Sequence, residues 1–152
     1  MTTQPKVAVL IGSESDRLKM EPSVRLLAEF GVQARVEVMS AHRDPERVAE
    51  FSKQAASAGI RVIIAGAGLS AALPGAVAAH TLLPVIGVPL AASSLGGIDA
   101  LLSIAQMPPG VPVACLGVDA AQNAALLAVR ILALEDVALA ARLAEHKKRG
   151  NG

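Results

Sequence analysis

Tryptophan and tyrosine are absent from this chain, and phenylalanine occurs only twice. That leaves no aromatic platforms on which a single-stranded nucleic acid could stack its bases, and no rings to sandwich a flavin. The single cysteine, Cys115, excludes an internal disulfide and any multi-cysteine metal site. Set in an apolar stretch, it reads as a small core residue and not as a reactive thiol. Charge of one sign is lacking too: 14 Lys and Arg stand against 13 Asp and Glu. With a net charge of +1, no global field draws in nucleic acid or an anionic membrane. The basic cluster Lys147-Lys148-Arg149 reads as the solvated end of a last helix, where cations favour the dipole. No apolar run reaches the roughly 18 residues of a membrane span, because Gly, Pro and charged residues interrupt each one. Residues 1–6 are too polar for the apolar centre of a signal peptide, so the expected location is cytoplasmic.

What the 152 residues do hold is a hydrophobic fraction of 53%, enough for one domain built on a substantial core. Short β-rich apolar runs alternate with longer Ala/Leu-rich amphipathic runs from end to end. Strands are expected at 6–11, 33–38, 61–65, 85–88 and 111–118, and helices at 17–30, 45–59, 74–80, 99–106, 120–134 and 135–149. Gly31 stands where a helix C-cap is needed, and Asp44-Pro45 combines an N-cap with a preorganised first helical residue. Continuous hydrophobic strands are those of an all-parallel sheet covered on both faces. The fold class is therefore α/β, a three-layer α/β/α domain over 1–152 with a parallel five-stranded sheet and right-handed crossovers. The helix at 120–134 is apolar on nearly every side, its polar side chains being Gln122, Asn123 and Arg130. Such a helix needs cover on nearly every side, which predicts a homo-oligomer with this helix at or near the interface.

In an open parallel sheet, ligands bind in the crevice outside the carboxyl ends of the strands. Three polar loops fall there. Gly12-Ser13-Glu14-Ser15-Asp16 offers a tight turn, hydroxyls and helix-terminal amides suited to a phosphate. It has neither a P-loop nor a dinucleotide fingerprint. Ser15 or Asp16 would serve equally as a helix cap, while beside the other loops Asp16 suits the hydroxyls of a sugar. Ser40-Ala41-His42-Arg43 places an imidazole, able to give and take a proton near neutrality, next to a planar guanidinium fork for an anion. The residues of 66–72, Gly68, Ser70 and Ala72 among them, carry no proton-transfer group; their small size lets backbone amides approach a ligand. His80 and His146 read as surface residues. The loop at 89–97 and the segment Gln106-Met107-Pro108-Pro109-Gly110 are candidates to cover the site.

These motifs resemble a known family. Gly-Ser-x-Ser-Asp at 12–16, Ser-Ala-His-Arg-x-Pro at 40–45, Ala-Gly-Ala-Gly at 65–68 and Ala-Leu-Pro-Gly at 72–75 stand in its order and spacing. So do Pro-Val-Ile-Gly-Val-Pro at 84–89, Gln-Met-Pro-x-Gly-Val-Pro-Val at 106–113 and Asn-Ala-Ala-Leu-Leu-Ala at 123–128. The family is that of N(5)-carboxyaminoimidazole ribonucleotide mutase, the PurE family of purine biosynthesis, and the resemblance covers about 6–135. It implies a flavodoxin-like fold, a homo-octamer, a ribonucleotide substrate and no metal or organic cofactor. It also implies that His42 is catalytic, that Ser13 and Arg43 hold the phosphate, and that Asp16 holds the ribose hydroxyls. Ser40 and Ala41 would then line the base pocket, with Gly68, Ser70 and Ala72 in the loop that reaches the carboxylate or carbon dioxide.

One stretch departs from the mutase pattern Gly-Gly-Ala-Ala-His-Leu-Pro-Gly: here it reads Gly68-Leu69-Ser70-Ala71-Ala72-Leu73-Pro74-Gly75, so the second histidine is Ala72. The related direct carboxylases, which act on free aminoimidazole ribonucleotide and carbon dioxide, carry a serine near Ser70. They have lysine in place of Arg43 and lack the Gln-Met-Pro-x-Gly-Val-Pro form. The expectation is the mutase, with the direct carboxylase as its rival. A non-catalytic nucleotide- or flavin-binding module is the reading from another class; it leaves His42 beside Arg43 without a purpose. A receiver domain would need an aspartate ending the third strand, where Ala65-Gly66-Ala67 stands.

Overall fold

The computed structural model describes residues 4–150. Its strands are β1 (Val7–Ile11), β2 (Ala34–Val38), β3 (Val62–Ala67), β4 (Val85–Pro89) and β5 (Ala114–Cys115). Its α-helices are α1 (Arg17–Glu29), α2 (Pro45–Gln54), α3 (Leu73–Ala78), α4 (Ile98–Ala105), α5 (Ala121–Ala133) and α6 (Val137–Arg149). One parallel sheet runs in the order β2-β1-β3-β4-β5. Every residue of β1, β3 and β4 is buried, as strands covered on both faces must be. β2 lies at the edge and alternates, its Arg35 and Glu37 pairing on the outside.

The pleat sends alternate side chains to opposite layers. Val7, Val9, Ile11, Ile64 and Val88 join Met20 and Leu27 of α1 and Ala124, Ala125 and Ala128 of α5. Ala8, Leu10, Ile63 and Ala65 join Val48 of α2, Leu73 and Val77 of α3, and Ile104 of α4. The three-layer α/β/α fold expected from the sequence is thus present, with β1 and β3 at its centre.

Most boundaries fall within a few residues of expectation, and the caps follow. Gly31 has φ 71°, its N–H donates to the Ala28 carbonyl, and the Val32 N–H donates to that of Leu27, closing α1 in a Schellman motif. Asp44 accepts from the Arg47 N–H at 3.3 Å and starts α2. Two features differ from the sequence reading. The fifth strand, expected over 111–118, pairs only at Ala114–Cys115, since Pro112 has no N–H to add to a ladder. Regular helix in α2 stops at Gln54, and turns carry the chain on to Gly59 at φ 88°. α5 buries Ala121, Ala124, Ala125, Ala128 and Val129 against the sheet, α1 and α6, while its Leu126, Leu127, Ile131 and Leu132 stay partly exposed. Of the exposed large apolar side chains, Leu95, Ile98 and Leu102 lie at and along α4, with Val118 against Gly97 beside them. Cys115 is half-buried, its thiol pushed up by burial, in keeping with a packing role.

Candidate active site

With strand order 2-1-3-4-5, the chain leaves β1 toward one edge of the sheet and later returns to β3 on the other side. Connections diverging in this way open a crevice above the carboxyl ends of β1 and β3. The two strand ends are held together there, the Gly12 N–H donating to the Gly66 carbonyl at 3.0 Å. A cavity of about 430 Å³ occupies the crevice. The loops after β1, β2 and β3 all line it, and each of the sequence-designated residues Ser13, Asp16, Ser40, Ala41, His42, Arg43, Gly68, Ser70 and Ala72 belongs to the lining.

After β1 the chain makes a single 3-10 turn (Glu14–Asp16) before α1. The hydroxyls of Ser13 and Ser15 are 3.0 Å apart, bringing Ser15 into the site as well. Asp16 occupies the N-cap position of α1 yet its side chain makes no capping hydrogen bond, and neither does that of Ser13 before the 3-10 turn. The helix-capping explanation of this loop therefore fails. Asp16 is 7% exposed, and burial pushes its carboxyl above the usual range; the charge of Lys19 opposes that rise and the charge of Asp119 adds to it.

After β2, Met39 is tied to β1 through its N–H on the Ile11 carbonyl (2.9 Å). A tight turn follows, in which the Ser40 hydroxyl accepts the Arg43 N–H (3.2 Å) and the Ser40 carbonyl accepts the Asp44 N–H (2.9 Å). Ser40 thus shapes the turn that presents His42 and Arg43. Both of these side chains are exposed at the cavity wall. Arg17, Arg25, Arg35, Arg47 and Arg61 are engaged in ion pairs, whereas Arg43 is in none among the described residues. A guanidinium without a carboxylate partner, lining a cavity together with serine hydroxyls, is fitted to an anionic ligand.

The third loop is strained. Leu69 (φ 50°) and Ala71 (φ 34°) both lie in the left-handed region, which side chains other than glycine seldom enter. Leu69 occupies the place where the mutase pattern has its second glycine. Gly68 is required by space: a Cβ there would stand 2.5 Å from the Ala92 Cβ. Ala92 itself lines the cavity, so the 89–97 loop does cover part of the site. The 106–110 segment does not; its Met107 packs toward Gly75 of α3. Nor do the other histidines enter, His80 being exposed and the exposed His146 packing its ring on Phe30 at 5.1 Å. His42 is left as the imidazole in the lining. Among the described residues no three His, Cys, Asp or Glu side chains gather as a metal site would need.

The family model for AIR carboxylase matches residues 6–151. The chain belongs to the AIR carboxylase family. N5-carboxyaminoimidazole ribonucleotide mutase of Pyrococcus abyssi is 49% identical over 144 residues, which span 95% of this chain and 83% of that protein. The mutase of Saccharolobus solfataricus is 52% identical over 139 residues, 91% of this chain and 88% of that one. Among solved structures, Treponema denticola PurE superposes with a TM-score of 0.88 at 31% identity, covering 97% of this chain and 92% of that one. Membership of the AIR carboxylase family agrees with the sheet order and with the motifs at the cavity. Lys19 and Asp119, which bear on Asp16 from α1 and from the turn after β5, are charged neighbours that sequence reading missed. No motif contains them; only the fold brings them within reach of each other.

Proposed function

We propose that the chain is an N(5)-carboxyaminoimidazole ribonucleotide mutase, moving a carboxyl group from the exocyclic nitrogen of the ribonucleotide to ring carbon 4. The observation that carries this reading is the convergence of His42, unpaired Arg43 and uncapped Asp16 on one cavity at the sheet's switch point. In this reading Arg43 and Ser13 hold the phosphate, Asp16 the ribose hydroxyls, and Ser40 with Ala41 the base. Protonated His42 gives its proton to the exocyclic nitrogen as the nitrogen–carboxyl bond breaks, the bonding pair staying on nitrogen and carbon dioxide departing. The freed aminoimidazole is an electron-rich enamine, and its carbon 4 attacks the carbon dioxide retained beside it. Neutral His42 then takes the proton from carbon 4, restoring the aromatic ring and its own protonated state. Proton and carboxyl have exchanged places, so the cycle closes on one residue. Keeping carbon dioxide next to carbon 4 is where the third loop contributes, through proximity. The backbone amides of 68–72, with Ser70 and Ala72, form the wall nearest to it.

The enzyme is proposed to work in the cytoplasm as a homo-octamer; no helix among the described residues is long and apolar enough to cross a membrane. Supplying the carbamate-bearing ribonucleotide and, separately, free aminoimidazole ribonucleotide with bicarbonate tests the assignment. Carboxylated product from the first at low bicarbonate is expected. Product from the second alone would make the chain a direct carboxylase, the outcome toward which Ser70 and the absence of a histidine at Ala72 point.

A further inference from the structure

Lys19 lies in the first turn of α1 and reaches across to the loop after β4. Its Nζ donates to the Ala91 carbonyl at 2.5 Å and stands 3.5 Å from Oδ1 of Asp119. The same Oδ1 accepts the Ala91 N–H at 3.0 Å, and the Asp119 N–H donates to the Pro89 carbonyl at 2.8 Å. Asp119 adopts φ 57° in making these bonds, a conformation seldom entered by residues other than glycine. Both backbone polar groups of one loop residue are therefore gripped by side chains from two different elements. The next residue, Ala92, is a wall of the cavity and packs against Gly68, while the Leu90 N–H donates to the Ala67 carbonyl at 2.9 Å. A shift at Ala91 would pass through those contacts into the third loop.

We propose that Lys19 and Asp119 are positioning residues: together they clamp Ala91, holding Ala92 and the 68–72 loop in the shape that receives the substrate. The activity consequences rest on the ribonucleotide reading of the cavity; the clamp itself does not. The pair has a second bearing on the site. Asp16 has Lys19 on its own helix and Asp119 in the turn after β5, with His42 and Arg43 lining the same cavity from the loop after β2; Glu14 is engaged by Arg17. The two clamp charges act on Asp16 with opposite sign, Lys19 favouring its ionised form and Asp119 its protonated form.

The test compares Lys19→Met, Asp119→Asn and Lys19→Arg. Amide hydrogen exchange of the ligand-free protein should show faster exchange across 89–97 and 66–73 in Lys19→Met, restored toward wild type in Lys19→Arg. Protection unchanged in Lys19→Met would overturn the clamp. This readout decides the matter even if the wild-type protein binds no ribonucleotide, a result that would remove the functional reading alone. With 5-aminoimidazole ribonucleotide as calorimetric probe, Lys19→Met should bind about fivefold more weakly, the scale on which residues acting through others modulate a site. The acid limb of the pH profile for binding should move up in Lys19→Met and down in Asp119→Asn. A purely structural loss would move both the same way or neither, and that result would deny the pair its influence on Asp16.

Discussion

At the scale of single residues, the cavity sets an exposed imidazole beside a buried carboxyl. His42 stands at the cavity wall with its ring accessible. In the proposed reaction His42 carries the proton; His42→Asn keeps a polar group without that function, so turnover should fall by about 10²–10⁴-fold while calorimetry still detects the ribonucleotide. Retained turnover would remove His42 from the chemistry. Asp16 makes a prediction of the other kind. Burial raises its folded-state pKa above the ordinary value of 3.8. The native state therefore binds the extra proton, and stability declines as pH rises from that value through the folded-state pKa. Above it, the cost of holding an ionised carboxylate is fully present. Asp16→Asn should accordingly raise the melting temperature at pH 7 while weakening ligand binding, and the gain should shrink as pH falls toward 4; thermal scans across that range check it. Asp16 and its companions were legible in the sequence because short polar loops after apolar strands have one place to go. Lys19 and Asp119 were not. They are 100 residues apart, ordinary in their local context, and joined only through a loop backbone.

At the scale of elements, the caps and the buried strands could be read directly: Gly31 and Asp44 do what their residue types allow, and β1, β3 and β4 are apolar throughout. Reading failed where tertiary contacts overrule local pattern. The fifth strand is apolar enough over 111–118 but its ladder is cut short. α2 likewise loses its regular helix at Gln54, short of the expected end at Gly59. α1 keeps its helical course through Pro22, whose missing N–H leaves the Leu18 carbonyl without its usual donor. Leu18 is exposed, so water can take that place. The connection between elements that governs the site is the contact of Gly68 with Ala92. Gly68→Ala introduces a Cβ 2.5 Å from the Ala92 Cβ and 3.2 Å from the Leu90 carbonyl oxygen. Two loops would have to part, costing about 1–3 kcal/mol as overpacking does. Denaturant titration should register that loss, and ribonucleotide affinity should drop with it; an unaltered affinity would detach this contact from the site's shape.

At the scale of the whole molecule, one apolar patch lies on α4 and its approach: Leu95 is 60% exposed, Ile98 61% and Leu102 54%. If the homo-octamer forms through this face, Ile98→Asp with Leu102→Asp should reduce the mass measured by light scattering. An unchanged mass would place the interface elsewhere. The arrangement of the sheet has a further consequence. β2 has a hydrogen-bonded neighbour on one side only, and His42 hangs from its far end; β1 and β3, which bear the other loops, are flanked on both sides. Warming loosens a margin before it loosens a centre. Near its upper temperature limit this protein should release its ligand and fall idle together, because the frontier strand that presents both His42 and Arg43 gives way while the interior still holds.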